Sequence, residues 1–227
     1  MSACSSMALR PLSAVILLAL SSTSFGASFT IQDGETVTTQ QTLNDNETGT
    51  IETGGELSTS GVTAIDAPGD NANIESNGSI TTSGDNAYGI YSRGNNATIS
   101  NNGNIIGSGK NAVRILSTGD YATINNSGNI STSGAGSYGI LSEGNNTTNN
   151  SGSISTTGEN ADGIYSNGTD AAINNSGSIS TTGENADGIR STGDNATINN
   201  SGLISATGPD SLAISGDLSS DRNTTVN

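Results

Sequence analysis

The chain has 227 residues, a formal net charge of −15, no His, no Trp and a single Cys. Leu, Ile, Val and Phe make up only about 18% of it, a fraction that with high net charge ordinarily marks disorder. These figures exclude histidine-based catalysis, a zinc site, a disulfide framework and a conventional globular core. The acidity also excludes a nucleic-acid binder, which needs clustered Lys and Arg.

Residues 1–26 read as an export signal. Arg10 precedes an apolar run from Leu12 to Leu20, and Ser24-Phe25-Gly26 offers small residues where a signal peptidase cuts. The run is too short for a membrane-spanning helix. Cleavage near Ala27 removes Cys4 and Arg10, so the exported chain is cysteine-free and gains nothing from disulfides.

Residues 27–50 hold Phe29-Thr30-Ile31 and Val37-Thr38-Thr39 around a turn at Asp33-Gly34. They are expected to form a β cap over the first coil, anchored by Phe29.

Residues 51–214 are a repeat of about 25 residues. One column of apolar residues is Ile65, Ile90, Ile115, Ile140, Ile164, Ile189 and Ile214. A second is Leu57, Ile80, Ile105, Ile130, Ile154, Ile179 and Ile204. A third is Ile51, Ile74, Ile99, Ile124, Ile173 and Ile198, with one member missing. One residue has been lost there, Thr148 is expected to fill the slot, and the coil around it should be the weakest. Each apolar segment ends in a corner rich in Gly and Asn, residues that accept the left-handed backbone of tight turns.

Three short strands per unit, with no helical period, predict an all-β parallel β-helix with coils stacked at about 4.8 Å. Repeated columns then become ladders. By the strand period of two, Ser76, Asn101, Asn126, Asn150, Asn175 and Asn200 face inward beside the third column. Ser92, Ser117, Ser142, Ser166 and Ser191 do so beside the first. Stacked amides and hydroxyls are expected to bond from coil to coil. Residues 215–227 read as the opening of a further coil, with Val226 in the third column.

Units such as Asn-Ala-Asp-Gly-Ile-Tyr-Ser at 160–166 and Ala-Thr-Ile-Asn-Asn-Ser-Gly at 196–202 resemble the passenger repeats of bacterial autotransporters. The resemblance covers roughly 51–226. It implies a right-handed β-helix, exported through the periplasm of a Gram-negative bacterium to the cell surface or the medium, where many passengers are adhesins. No run here has the alternating strands and aromatic girdles of the translocating barrel such proteins carry. The expectation is a passenger fragment or a small secreted solenoid, with end-to-end self-association through its last open strands.

Four sets of residues are candidates for chemistry. Ser–His and Cys–His nucleophiles are excluded, so the chain is read as non-enzymatic. The alternatives are a polysaccharide-active β-helix enzyme working through paired carboxylates and a functionless remnant of an interrupted gene. Glu159 and Glu184 share one column and Asp162 and Asp187 another. Stacked carboxylates repel, and calcium, which takes several oxygen ligands, would relieve them; the plain alternative is an acidic, solvated corner. Tyr91, Leu116, Leu141, Tyr165 and Arg190 each follow a first-column Ile and should point outward, with Tyr88 and Tyr138 close by. Such a strip is a candidate contact for a protein or glycan on a host or neighbouring cell, against the alternative that Tyr and Leu simply suit strands. The many Asn-x-Ser/Thr triplets follow from composition and read as corner chemistry.

Overall fold

Alternation of apolar and small polar residues over three to five positions, broken by Gly–Asn corners, builds strands and nothing else. The computed structural model describes residues 27–216 and 224–227, which contain no helix; the signal read at 1–26 lies outside them. Strands assemble into three parallel sheets of nine, eight and eight members. Sheet A begins at Phe29–Ile31, sheet B at Thr36–Val37 and sheet C at Gln41–Thr42, and each turn of chain adds one strand to each. The architecture is the expected parallel β-solenoid with about 25 residues per turn.

Register follows the repeat. Ile99 pairs with Ile124, Ile105 with Ile130 and Ile115 with Ile140. The three isoleucine columns fill the interior and are almost wholly buried. Beside them the inward amides form one hydrogen-bonded chain. Asn101 Nδ2 donates to Asn126 Oδ1, Asn126 to Asn150, Asn150 to Asn175 and Asn175 to Asn200, each at 2.7 Å.

The serine column does not repeat this. The hydroxyls of Ser92, Ser166 and Ser191 are buried without a hydrogen-bond partner. A serine side chain is too short to reach a neighbour one strand spacing away, whereas an asparagine spans it. Only Ser117 and Ser142 are served, both by the Nδ2 of Asn146.

Corners close by two devices. Asn71, Asn96 and Asn195 adopt positive φ, as do Asn86, Asn160 and Asn185 at a second corner. Glycines stack so closely that a Cβ on Gly119 would lie 2.1 Å from the carbonyl oxygen of Gly94.

Three local departures from the sequence reading have physical reasons. Residues 27–50 are not a separate cap. Phe29–Ile31, Thr36–Val37 and Gln41–Thr42 pair in parallel with the strands of the next turn, so they are the first turn of the same solenoid. Ile51 does not belong to the third column. It pairs with Ile31 and Ser76, in the slot that later holds the asparagine ladder, while Gly49 pairs with Ile74. The Phe29 ring packs over Gly49, at the place a Cβ there would occupy. Finally, the residue lost near 146 is not the isoleucine. Thr148 pairs with Ile124 and Ile173, as expected. What is missing is the left-handed corner residue found as Asn96, Tyr121 and Asp170 in other turns. Asn146 takes the adjoining slot and its Oδ1 accepts the N–H of Ala122.

One interior position carries a charge. Arg114 is fully buried in a column otherwise made of Ala64, Gly89, Gly139, Gly163, Gly188 and Ala213. Its Nη1 donates to Thr82 Oγ1 at 2.5 Å, while Nε and Nη2 have no partner. Burial lowers its pKa to about 10, so it stays protonated at neutral pH. The neighbouring column reads Thr82, Gly107, Thr132, and a Cβ on Gly107 would meet Nη1 at 1.4 Å. The glycine is there because the guanidinium has taken the threonine's space. Gly107→Thr alone is expected to cost about 2–3 kcal/mol by overpacking. Adding Arg114→Gly should restore the regular repeat and exceed wild-type stability by about 1–3 kcal/mol, as the unpartnered donors disappear. Urea unfolding of the wild type and the two variants reads both effects.

Candidate partner-binding face

Residues following the first-column isoleucines lie on the outer face of sheet C and pair in the order Asp66, Tyr91, Leu116, Leu141, Tyr165, Arg190. Tyr88, Val113 and Tyr138 run alongside, three residues earlier in each turn. Sequence reasoning thus placed the strip correctly as a row. The structure joins it into two aromatic clusters with an aliphatic centre.

At one end Tyr88 and Tyr91 meet edge to face, with centroids 5.3 Å apart. The Arg93 guanidinium lies 5.2 Å over the Tyr91 ring and is held by Asp66 at 2.7 Å. At the other end Tyr138 and Tyr165 pair edge to face at 5.4 Å, with Arg190 over Tyr165 at 5.2 Å. The Tyr165 hydroxyl is within 3.2 Å of Thr192 Oγ1. Such edge-to-face and cation–π contacts hold rings in one orientation.

Exposure along the row is uneven. Tyr91, Leu141 and Tyr165 are half-buried and Arg190 is exposed, whereas Leu116 is only 6% exposed. The expectation that Leu116 offers contact surface is therefore corrected. It lies between Tyr91 and Leu141 on the neighbouring strands and supports the face from beneath.

The four carboxylates considered for calcium do not form a site. Among the described residues no group of three or more acidic or metal-ligating side chains converges. Asp162 and Asp187 are occupied by backbone instead. Asp162 Oδ1 accepts the N–H of Asp187, and Asp187 Oδ1 accepts that of Leu212, both at 2.7 Å. Asp187 Oδ2 also takes the hydroxyl of Ser215. Glu159 and Glu184 lie exposed at the corner. Repulsion within the stack is answered by backbone N–H groups and by Arg190.

The same use of carboxylates recurs elsewhere and was not read from the sequence. Asp45 Oδ1 accepts the N–H of Asp70, Asp70 that of Asn95, Asn95 that of Asp120 and Asp120 that of Asn145, at 2.7 to 3.0 Å. The signal available was the free exchange of Asp and Asn in one column at 25-residue spacing. Both residues offer the one short side-chain oxygen that the next coil's N–H requires.

Compared with known proteins, the chain matches no protein-family model, no curated protein and no solved structure.

Asp162 sits beneath the second aromatic cluster, 1% exposed, with Oδ2 unpartnered. Burial raises its pKa to about 6; the Asp187 charge adds to this, while the Asp187 N–H and Arg190 oppose it. The folded value lies above the ordinary 3.8. The contribution of the protonated group is therefore complete below pH ~4 and lost as pH rises through about 6. Asp162→Asn keeps an acceptor for the Asp187 N–H and removes the buried charge. It is expected to be more stable than wild type by about 1–3 kcal/mol at pH 7.5 and indistinguishable from it at pH 4, read by urea unfolding at the two pH values.

Proposed function

We propose that the chain is the repeat region of an autotransporter-like passenger, exported and exposed at the cell surface, which works by adhesion and not by catalysis. The parallel solenoid with its 25-residue turn is the architecture that the repeat resemblance implies. The observation that carries the adhesive reading is the outer face of sheet C. In an acidic, aromatic-poor chain, four of the five tyrosines and two arginines gather on one row of strands, prearranged by ring–ring and guanidinium–ring contacts.

Tyr and Arg are the residues that dominate binding energy at protein interfaces, where large rigid rings bury area at small entropic cost. Tyr91 and Tyr165 stand three strand spacings apart, about 14 Å, so the two clusters can be engaged together by one partner. Rungs above and below would supply the polar rim of the contact. The partner in this reading is a surface protein of a host or neighbouring cell.

Beads coated with the purified chain test the reading. The triple variant Tyr91→Ser, Leu141→Ser, Tyr165→Ser alters the half-buried members of the row and leaves buried Leu116 in place. It is expected to keep its unfolding midpoint within a few degrees and to lose at least ten-fold in bead adherence to a cell monolayer. Unchanged adherence would remove this face from the account.

A further inference from the structure

A second surface has no part in the adhesive face. Where sheet A turns toward sheet B, the repeated Asn-Asn-Ser run forms a groove of about 460 Å³ along the solenoid axis. Its lining includes Asn149, Asn174 and Asn199 and, beside them, Ser151, Ser176 and Ser201; among the described residues no ionisable side chain lines it. Each asparagine doublet thus serves twice, one amide inward in the buried ladder and the other outward in the groove.

The outward amides are themselves a ladder. Asn149 Nδ2 donates to Asn125 Oδ1, Asn174 to Asn149 and Asn199 to Asn174, each at 2.8 Å, and Asn227 continues the row at 2.9 Å. A primary amide carries two N–H donors and two lone pairs. The ladder uses one of each on Asn149, Asn174 and Asn199. Every such rung keeps one donor and one acceptor, fixed in orientation by its neighbours, next to an exposed serine at 151, 176 and 201. The set recurs every 4.8 Å or so along the axis.

We propose that this groove binds a neutral, linear polysaccharide lying along the solenoid axis. A repeating array of orientation-fixed donors and acceptors is matched by a polymer that repeats hydroxyl groups along its length. A net charge of −15 repels polyanions, and among the described residues no Lys or Arg lines the groove to recover them. It also lacks the aromatic and arginine anchors of a protein interface. Each rung makes few contacts, so affinity should come from many rungs engaged at once and rise steeply with polymer length.

The test is electrophoresis of the full chain through native gels containing dextran, galactomannan or laminarin, with polygalacturonate as the acidic counterpart. At least one neutral polymer is expected to retard the chain, polygalacturonate to leave it unretarded, and a hexasaccharide of the retarding polymer to compete at least ten-fold more weakly by mass. Asn174→Thr should reduce retardation at least five-fold. Ser176→Leu fills the groove wall without touching the ladder and should do the same, so the test survives if the first variant unfolds. The triple variant of the sheet C face should be retarded like wild type, which separates this proposal from the adhesive one. No retardation by any neutral polymer, equal retardation by polygalacturonate, or full retardation of Ser176→Leu would each overturn it.

Discussion

The buried amides of the inward asparagine column are satisfied chiefly by the same residue one turn away. Asn126, Asn150 and Asn175 are enclosed by the solenoid wall, and their short hydrogen bonds run to the homologous asparagines above and below, with longer ones from Asn126 and Asn175 to the carbonyls of Gly128 and Gly177. Leaving such a group unpaired costs far more than the modest net gain of pairing it. The ladder therefore acts mainly against error. A slip of one residue in the pairing of two turns would turn every inward side chain outward and leave amides without partners. The outer amide row, the aromatic face and the corner carboxylates all take their positions from that register.

The scaffold tolerates exceptions where a second change absorbs the first. Arg114 enters a glycine and alanine column because Gly107 vacates the threonine space above it. Ile31 and Ile51 replace the ladder in the first two turns with purely apolar contact. At the junction, Ser76 is too short to join, and both its hydroxyl and Asn101 Oδ1 stay unpartnered. The polar ladder thus pays at its end for what it gains in its middle. Corners show the same economy of chemistry: Tyr121 takes the left-handed conformation (φ 60°) that asparagine holds in neighbouring turns, and it does so fully outside, at 68% exposure.

Much of this was legible in the sequence because a solenoid turns periodicity directly into contact. Isoleucines 25 residues apart pair, so the columns, the fold class, the amide ladder and the role of Thr148 follow from spacing alone. Spacing fails where turns differ in length. Ile51 precedes Ile74 by 23 residues, and only the pairing shows that the change in length falls in the corner, moving Ile51 into the ladder slot. Side-chain reach was equally invisible: the serine column has the period of the asparagine column without its bonds. The candidate sites suffered from the same blindness. The carboxylate stack suggested a cation because the backbone N–H groups that bond one oxygen each of Asp162 and Asp187 have no signature in sequence. The pairing of Tyr91, Leu116, Leu141 and Tyr165 in one row follows from spacing, yet the burial of Leu116 within it does not.

The most direct test of the register account is a comparison of one substitution with five at the inward asparagines. Asn150→Ile alone takes the acceptor from Asn126 Nδ2 and the donor from Asn175 Oδ1, and is expected to cost about 3 kcal/mol in urea unfolding. Replacing Asn101, Asn126, Asn150, Asn175 and Asn200 together by Ile extends the apolar column already present at Ile31 and Ile51, and should cost less than the single change. A neutral single substitution, or five costs that simply add, would contradict the account.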